Sequence, residues 1–460
     1  MKNKPAVREA RYFMKDHPEI GVIELLQPDM NGILRGKRIG TDDLDKACDP
    51  GINMCAATTM LDVKGQTNMN VIYGSQDGDP DVYAPIVPGT LTPVPWSGRP
   101  IGQALMSLRS PDGAPYFADP RVVLDRAAQP LRDMGLKIVA AIELEFYLLD
   151  ANAHQTPRLK LPRIPGTLLQ QDGPQFGMFE DLYEYDDFLS DVMSACETQH
   201  IPASTALSEY SPGQFEINLH HVDDPVLACD HGVLLKRLIK GVAREHNLGA
   251  SFMAKVSADN AGSGLHIHVS LYDDKGRNIF AGAGKTPPDF SDSLRHAVGG
   301  LMETMAESMA IFAPNGNSYR RFRRGFYVPL TPNWGFNHRA LALRIPLSEP
   351  ENTRIEHRVA GADANPYLAT AAVLAGIHHG LTAQCDPGPM IAEMTVVKNK
   401  EPTLPIQWLS ALDVFDGATV LPPYLGKEYC RVFSGCRRAE AELFLSEVSN
   451  RDYEWYLRAL

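Results

Sequence analysis

The stretch AIELEF at residues 141–146 sets Glu143 and Glu145 inside an otherwise apolar run. Side chains two residues apart point to the same face of a β-strand, so both carboxylates are expected on one face. Carboxylates buried together repel each other unless a cation neutralises them, and Mg²⁺ and Mn²⁺ prefer such oxygen ligands. A half-exposed strand is the simpler alternative, but the apolar neighbours favour a buried pair that binds metal.

Three more glutamates stand in similar strand-like runs. Glu209 and Glu216 flank a Pro-Gly turn in EYSPGQFEIN at residues 209–218, and Glu356 follows much later in the chain. Taken alone, the turn with its two glutamates would equally suit a solvated hairpin. Several inward-facing carboxylates from separate strands instead indicate one metal site and metal-bound phosphate chemistry.

The strongest local motif is GSGLHIHVS at residues 262–270. Its strand places His266, His268 and Ser270 on one face, after small residues that let a ligand approach the backbone. An ordinary polar strand face is one alternative. A zinc site is another, but it lacks nearby cysteines.

Arginines are concentrated in the last third of the chain. They include the basic run NSYRRFRRG at residues 317–325, then Arg339 and Arg344, and finally RIEHR at residues 354–358, which alternates two arginines with Glu356. Arginine holds carboxylates and phosphates with two hydrogen bonds at once. A solvated loop or a nucleic-acid patch would also contain such a run. Arginines beside a carboxylate cluster favour phosphoryl transfer to an acidic substrate.

Composition restricts the class of protein. The chain has 460 residues, a net charge of −12 and 44% hydrophobic residues, so we expect a large core and more than one domain. The acidic balance argues against nucleic acid as the main partner. Seven cysteines without a C-x-x-C pair indicate reduced thiols in a cytoplasmic protein. No apolar run approaches the roughly 20 residues of a membrane span, so we expect no membrane partner.

The chain divides into two zones, and we expect an N-terminal domain over residues 15–110 and a larger α+β body over residues 111–460. The first zone contains a hairpin over residues 22–39. In the second, strands that carry the glutamates alternate with helices, which suggests a curved sheet. Three helices begin at an Asp-Pro or Asn-Pro pair. Their predicted spans are 122–134, 225–246 and 367–379, the last ending at Gly380.

The order of these motifs resembles the glutamine synthetase family over most of residues 15–460. The matching runs are ELE at 143–145, EYSPGQFE at 209–216, GSGLHIH at 262–268, NSYRR at 317–321, RALALRIP at 339–346, RIEHR at 354–358 and NPY at 365–367. The resemblance implies a β-grasp N-terminal domain and a catalytic domain with a curved antiparallel sheet flanked by helices. It also implies a homo-oligomer, one ring of six subunits or two stacked rings, with active sites between neighbours.

The resemblance also implies site roles. It gives Glu145, Glu209 and Glu216 to one metal ion, and Glu143, His266 and Glu356 to a second. It gives Gly262, Arg321 and Arg358 to glutamate, and Arg339, Arg344 and Arg358 to the transferring phosphoryl group. It gives His268, Ser270, Arg344 and Arg354 to ATP, with two or three Mg²⁺ or Mn²⁺ ions in each active site.

Two departures from the family concern the amine side of the site. Ammonia-using members have an acidic residue in a flap where this chain has Tyr327, and a phenol supplies no fixed negative charge. They also have Asp-Gly-Ser-Ser where this chain has AATT at residues 56–59, so Ala56 replaces a second acid. The RGK turn at residues 35–37 is similar to that of γ-glutamylpolyamine synthetases, so the chain resembles this γ-glutamyl amide branch more than the ammonia users. We therefore predict an ATP-dependent ligase that forms a γ-glutamyl amide from L-glutamate through γ-glutamyl phosphate. Its amine is bulkier than ammonia: a monoamine, aromatic ones included, or a polyamine.

Three alternatives stay open. The first is glutamine synthesis from ammonia, the second a ring-forming structural or regulatory homologue without catalysis, and the third an acid other than glutamate. The loop that bacterial family members adenylylate on tyrosine is replaced here by NKEPTL at residues 399–404. We therefore predict no adenylylation there.

Overall fold

The computed structural model describes residues 5–151, 160–171, 173–174, 176–284, 289–325, 327–392 and 401–460. The first two residues of the NKEPTL replacement, Asn399 and Lys400, lie outside the described residues. None of the helices within these ranges is long and apolar enough to cross a membrane.

The described ranges contain the following regular elements. The strands are β1 (Val22–Pro28), β2 (Leu34–Gly40), β3 (Ile52–Cys55), β4 (Asp81–Ala84), β5 (Thr92–Pro93), β6 (Ile101–Leu105), β7 (Lys137–Asp150), β8 (Ala203–Ser208), β9 (Gln214–Leu219), β10 (Leu248–Ser251), β11 (Leu265–Tyr272), β12 (Trp334–Phe336), β13 (Leu343–Ile345) and β14 (Ile355–His357). The helices are α1 (Pro5–Asp16), α2 (Leu44–Cys48), α3 (Pro120–Asp133), α4 (Phe179–Glu184), α5 (Asp186–Thr198), α6 (Pro225–Glu245), α7 (Asp292–Phe312), α8 (Pro366–Ala383), α9 (Trp408–Asp416), α10 (Leu421–Leu425), α11 (Lys427–Leu445) and α12 (Asn450–Tyr456).

A small four-stranded sheet, in the order β2-β1-β6-β5, forms the N-terminal part. The predicted hairpin is confirmed, because β1 and β2 pair in antiparallel register, and β1 also pairs in parallel with β6. Gly102 lets the sheet and α1 pack closely. A Cβ atom there would lie 2.7 Å from Ile23 and 3.1 Å from Phe13. The predicted division near residue 110 stays a prediction; it falls between the end of β6 and the start of α3.

Helix α6 contacts both the small sheet and the larger sheet. Arg237 of α6 donates to Gln103 of β6 at 2.8 Å and forms an ion pair with Glu24 of β1. The Glu24 side chain is only 13% exposed, and Arg38 of β2 also binds it. The Arg237 side chain is 24% exposed and Gln103 is buried, so the two contacts of Arg237 help to fix the small sheet against the sheet that α6 covers.

The larger sheet runs in the order β12-β13-β14-β11-β7-β9-β8, and β10 pairs with the far end of β7. The predicted fold class is confirmed: the neighbours pair antiparallel except β12 and β13, which run in parallel. Leu144 and Phe146 of β7 are fully buried. They alternate with the two glutamates of the strand, so one face of the sheet makes core and the other carries polar groups.

The predicted helix starts are confirmed. The side chains of Asp119, Asp224 and Asn365 each accept a hydrogen bond from a first-turn N–H group, at the starts of α3, α6 and α8. The predicted end of the third helix at Gly380 is wrong, since α8 continues to Ala383. Gly380 serves packing here, because a Cβ atom on it would lie 2.1 Å from the carbonyl oxygen of His296 in α7.

Candidate active site

The pairing of the central strands brings four predicted site residues together. Glu145 of β7 lies directly opposite Glu216 of β9, and Glu143 lies opposite His266 of β11. The strands are hydrogen-bonded neighbours, so the Cα atoms of these pairs are only about 4.5–5.5 Å apart. The polar face of the sheet therefore gathers side chains that stand far apart in the sequence.

Two further glutamates complete the carboxylate cluster. Glu209 follows directly after β8, and Glu356 of β14 lies opposite His268 of β11. Oxygen atoms of Glu145, Glu209 and Glu216 all lie within 4.8 Å of one another. This trio is the set that the resemblance assigns to one metal ion, and its all-oxygen donors suit Mg²⁺ or Mn²⁺.

The second predicted set also converges. The Nδ1 atom of His266 lies 2.5 Å from Glu143 Oε1 and 3.9 Å from Glu356 Oε1. The structure adds His268, whose Nε2 atom is 3.4 Å from Glu143 Oε2 and which joins Glu143 and Glu356 within 4.8 Å. We predicted His268 as an ATP contact, and its position makes it a possible metal ligand as well. The assignment of all these roles stays a prediction.

The electrostatics of the cluster indicate that it needs cations. Burial raises the pKa of Glu216 to about 11, and the neighbouring carboxylates add to the rise. Burial together with Glu145 raises the pKa of Glu209 to about 7. So many buried carboxylates cannot all ionise near neutral pH without added positive charge. A divalent cation bound to each set would supply it.

Arginines stand on the other side of Glu356. Although burial opposes the change, Arg358 lowers the pKa of Glu356 to about 2, with smaller contributions from the two histidines. Arg344 donates to Glu356 Oε2 at 2.8 Å, and Arg358 donates to Glu356 Oε1. Glu356 therefore stays ionised and couples the second metal set to two of the three arginines predicted to hold the phosphoryl group.

Three buried arginines have a nitrogen without a hydrogen-bond partner, which suits an anionic ligand. The Nε atoms of Arg321, Arg344 and Arg358 are buried and have no hydrogen-bond partner among the described residues. Arg321 is 4% exposed and lies against Gly262, where a Cβ atom would be 2.7 Å from Arg321 Cγ. An unsatisfied buried donor costs about 1–3 kcal/mol, so three of them favour anionic ligands at this place. Carboxylate and phosphate groups are such ligands.

A cavity of about 450 Å³ opens beside the cluster. Its walls include Glu143, His268, Ser270 and Arg354, and Arg354 Nε donates to His268 Nδ1 at 3.3 Å. The structure therefore gathers three of the residues predicted for ATP at one cavity that reaches the carboxylates. Its remaining walls are formed by Val139, Ala141, Ile142, Asn218, Leu219, His220, His221, Tyr272, Ser348, Glu349 and Asn352.

Comparisons with known proteins identify the family. The family model "Glutamine synthetase, catalytic domain" matches residues 117–456. The chain belongs to the glutamine synthetase family. It is 39% identical over 451 residues to gamma-glutamylputrescine synthetase PuuA of Escherichia coli (strain K12), covering 98% of this chain and 94% of the relative.

A second relative of this family lies in the same branch. The chain is 31% identical over 389 residues to glutamate–isopropylamine ligase of a Pseudomonas species, covering 84% of this chain and 83% of that one. The predicted likeness to the γ-glutamyl amide branch is confirmed. The solved structure "Apo GmaS without ligand" shares the fold, with a TM-score of 0.84, 24% identity and full coverage of both chains.

Three of the predicted site residues make no contact with the carboxylate cluster among the described residues of this glutamine synthetase family member. They are Tyr327, Arg339 and Ala56. Tyr327 is 65% exposed, and Phe326 before it lies outside the described ranges. Arg339 is exposed in a turn that follows β12. Burial lowers the pKa of Arg344, and the positive charge of Arg339 lowers it further. Ala56 is buried in a short 3-10 helix of the small domain.

Sequence reasoning missed the amides that orient the carboxylates. Gln214 Nε2 donates to Glu145 Oε2 at 3.3 Å, and the Gly264 N–H donates to the same oxygen at 2.8 Å. Asn218 Nδ2 donates to Glu143 at 2.7 Å and to Glu216 at 3.1 Å. Strand periodicity places Asn218, two residues after Glu216, on the same face, but the sequence alone assigned it no role. Nothing in the sequence pointed to Gln214.

Proposed function

We propose that this family member is an ATP-dependent ligase that joins the γ-carboxyl group of L-glutamate to an organic amine bulkier than ammonia. It is an enzyme of the class that forms carbon–nitrogen bonds, and its amine and intermediate are the parts proposed here. The observation that carries the proposal is the carboxylate cluster beside three buried arginines with unpaired Nε atoms. That combination suits ATP, divalent cations and an acidic substrate together.

The reaction has two steps. The γ-phosphoryl group of ATP passes to a γ-carboxylate oxygen of glutamate, giving ADP and γ-glutamyl phosphate. The amine nitrogen then attacks the carbonyl carbon, the bond to phosphate breaks, and one proton leaves the nitrogen. Phosphate makes the carboxyl group a good acyl donor, which a free carboxylate is not.

The residues of the chain hold the reactants in this scheme. Arg321, fully buried beside Gly262, binds the α-carboxylate of glutamate. Arg344 and Arg358 hold the moving phosphoryl group, while Glu356 keeps both guanidinium groups in position. Two or three Mg²⁺ or Mn²⁺ ions, held by the cluster, would neutralise phosphate charge. Arg339, which is exposed, joins the phosphoryl group when the substrates bind.

The amine side supports a substrate other than ammonia. Ammonium is a small cation, and ammonia-using members of the family have two carboxylates near its binding site. This chain has Tyr327 and Ala56 at the corresponding positions, and an amine site formed with these residues would offer aromatic and apolar surface that suits a carbon chain or ring. One relative takes its name from putrescine, a diamine, and another from isopropylamine, a monoamine. Both classes therefore belong in the test.

The proposal also covers the oligomeric state and the compartment. We propose a ring of six subunits, single or stacked in pairs, in which the small domain of one subunit covers the catalytic sheet of the next. All seven cysteines are free, which suits the reducing cytoplasm.

A coupled assay of ADP release tests the proposal. The purified protein, with glutamate and Mg²⁺ or Mn²⁺, is offered ammonia and a panel of monoamines, aromatic amines and polyamines, and mass spectrometry identifies the amide. We expect at least one organic amine to exceed ammonia in kcat/KM. Ammonia turning over faster than every organic amine would contradict the proposal.

Two variants at one position sharpen this test. Tyr327→Glu restores a carboxylate to the flap, so we expect its kcat/KM for ammonia to rise relative to the best organic amine by about tenfold, the effect of roughly 1.4 kcal/mol. Tyr327→Phe keeps the ring and should retain the wild-type preference. Equal preferences in the two variants would show that the flap does not choose the amine.

A further inference from the structure

A second group of possible metal ligands lies outside the carboxylate cluster. Glu303 of α7, His379 of α8 and Cys385 just after α8 present ligand atoms that all lie within 4.8 Å of one another. Glu303 Oε2 is 3.1 Å from His379 Nε2 and 3.2 Å from Cys385 Sγ. Neither the family resemblance nor the proposed reaction uses any of the three.

The backbone holds these three side chains in place. Glycines at the α7–α8 contact bring the two helices together, because a Cβ atom on Gly300 would lie 2.2 Å from the carbonyl oxygen of Gly376. Gly299 does the same for the segment after α8, where its Cβ atom would lie 2.9 Å from Cys385 Cβ. The Cys385 N–H also donates to the Gly380 oxygen at 3.1 Å, which closes the end of α8. The donors are therefore set by rigid backbone.

The donor spacing matches a small tetrahedral ion. Zinc bonds of about 2.0–2.3 Å at tetrahedral angles separate their donor atoms by roughly 3.3–3.5 Å. The two separations from Glu303 Oε2, 3.1 and 3.2 Å, need only small adjustments to reach these values, and the donor atoms of His379 and Cys385 lie within 4.8 Å of each other. A thiolate, an imidazole and a carboxylate together favour Zn²⁺ over Mg²⁺, which prefers oxygen ligands.

We propose that Glu303, His379 and Cys385 bind one Zn²⁺ ion, or a similar transition-metal cation, with water in the fourth position. Binding replaces the thiol proton of Cys385, which is released to solvent, while His379 binds as the neutral imidazole. The ion then cross-links α7 to the end of α8. The site is independent of the proposed ligase reaction.

The surroundings allow an ion to enter. The side chain of Glu303 is 56% exposed and that of His379 is 24% exposed, whereas Cys385 is buried at the base. The nearest additional acid along the chain, Asp386, forms an ion pair with Arg295 at 3.2 Å. Glu303 lies on the solvent side and the other two ligands lie deeper, which leaves a water molecule as the fourth ligand.

Cobalt provides a direct probe, because Co²⁺ replaces Zn²⁺ at such sites and a thiolate ligand gives it a charge-transfer absorption band. The full-length protein is kept in saturating Mg²⁺, so that the oxygen-rich cluster is occupied, and is titrated with Co²⁺. We expect a thiolate band that saturates at one Co²⁺ per chain and disappears when Zn²⁺ is added. No thiolate band in the wild type would overturn the proposal.

Variants identify the ligands. We expect the band to be absent in Cys385→Ser and to persist in Cys55→Ser, which removes the exposed cysteine. His379→Asn should weaken Co²⁺ binding by at least about tenfold, and because this ring is partly exposed the variant should keep its circular dichroism spectrum. A band that survives in Cys385→Ser, or an unchanged affinity in folded His379→Asn, would overturn the three-ligand site.

Discussion

Glu216 shows how single residues of the cluster balance charge against burial. Its carboxyl group faces three other glutamates, and burial with this repulsion raises its pKa to about 11. In the metal-free protein it therefore carries a proton at neutral pH, and Asn218 holds one of its oxygens at 3.1 Å. A cation must displace that proton, so metal binding and proton release are coupled.

The variant Glu216→Gln tests this balance. Glutamine copies the protonated acid in shape and charge, so we expect the metal-free variant to unfold at a temperature no lower than the wild type. Removing one metal ligand should abolish most of the stabilisation by Mg²⁺ or Mn²⁺, which reaches about 2.7 kcal/mol for the wild type at 100 times Kd. Thermal unfolding with and without each cation measures both effects.

The matched control for this experiment is Glu180→Gln. Glu180 is an exposed residue of α4, so its loss should leave the metal-induced shift intact. An equal metal response in the wild type and Glu216→Gln would argue against the oxygen-rich metal site.

At the residue scale, the sequence predicted most of the cluster but not its supporting groups. Glu143 and Glu145 could be placed on one face because strand periodicity is strict. That Glu145 meets Glu216, and Glu143 meets His266, depends on strand order, which periodicity alone does not contain. Gln214 was not predicted because an amide near a turn has many possible partners.

Among the elements, α7 and α8 depend on glycine for their close contact. Gly380→Ala would force a Cβ atom to within 2.1 Å of the His296 oxygen, which is backbone and cannot rotate away. We expect a loss of about 1–3 kcal/mol in the free energy of unfolding, the usual cost of overpacking. Urea denaturation measures it.

Gly417→Ala provides the control for that prediction. A Cβ atom on Gly417 would meet only the Val414 and Asp413 oxygens, at 3.6 and 3.7 Å, which is ordinary contact. We expect its stability to stay within about 0.5 kcal/mol of the wild type. Equal losses in both variants would contradict the role given to the glycine contact.

Helix α6 carries a lysine whose ionisation links stability to pH. Burial, with Lys240 beside it, lowers the pKa of Lys236 to about 7, and its Nζ donates to the carbonyl oxygens of Ala362 and Ala364. Between pH 7 and the unfolded value near 10.5, the unfolded chain binds a proton that the folded protein lacks. The free energy of unfolding should therefore rise with pH in this window, by up to about 1.4 kcal/mol per pH unit.

The variant Lys236→Met removes this titration. We expect its stability to rise less than that of the wild type from about pH 7.5 to about pH 9.5 in urea denaturation. Lys15→Met, at an exposed lysine of α1, should keep the wild-type slope. Parallel slopes for the wild type and Lys236→Met would show that Lys236 keeps its proton in the folded protein.

At the element scale, helix starts were easier to predict than helix ends or strand order. Asp119, Asp224 and Asn365 each cap a helix because an acceptor followed by proline suits the first turn. Gly380 was misread as a stop, since a glycine that ends a helix and one that admits a neighbouring helix look the same in one sequence.

For the whole molecule, the open question is where the amine side of the site is completed. Thr58 lies in the AATT run of the small domain, apart from the cluster in the contacts that the described residues make. If neighbouring subunits share each site, Thr58→Lys should repel a cationic amine from the site of the next subunit. Glu216→Gln disables the metal site of its own subunit.

Rings that contain both variants therefore test the shared site. Each variant alone should lose most ligase activity. In co-expressed mixed rings, about a quarter of the sites should be active, because at a head-to-tail interface the intact half of one variant then meets the intact half of the other. Rings mixed from wild type and the double variant calibrate the assay. Activity no greater than the sum of the two single variants would place each site within one subunit.

Strand β7 contributes to both metal sets of the carboxylate cluster. Glu143 serves one set and Glu145 the other, and two residues of a strand span about 6.6–6.8 Å. Ladder hydrogen bonds to β9 on one side and β11 on the other prevent the strand from sliding. The backbone would thus fix the distance between two ions bound by these sets, and a cation of different radius would be accommodated by rotating side chains. Exchanging one ion should therefore alter the coordination of the other without moving the sheet.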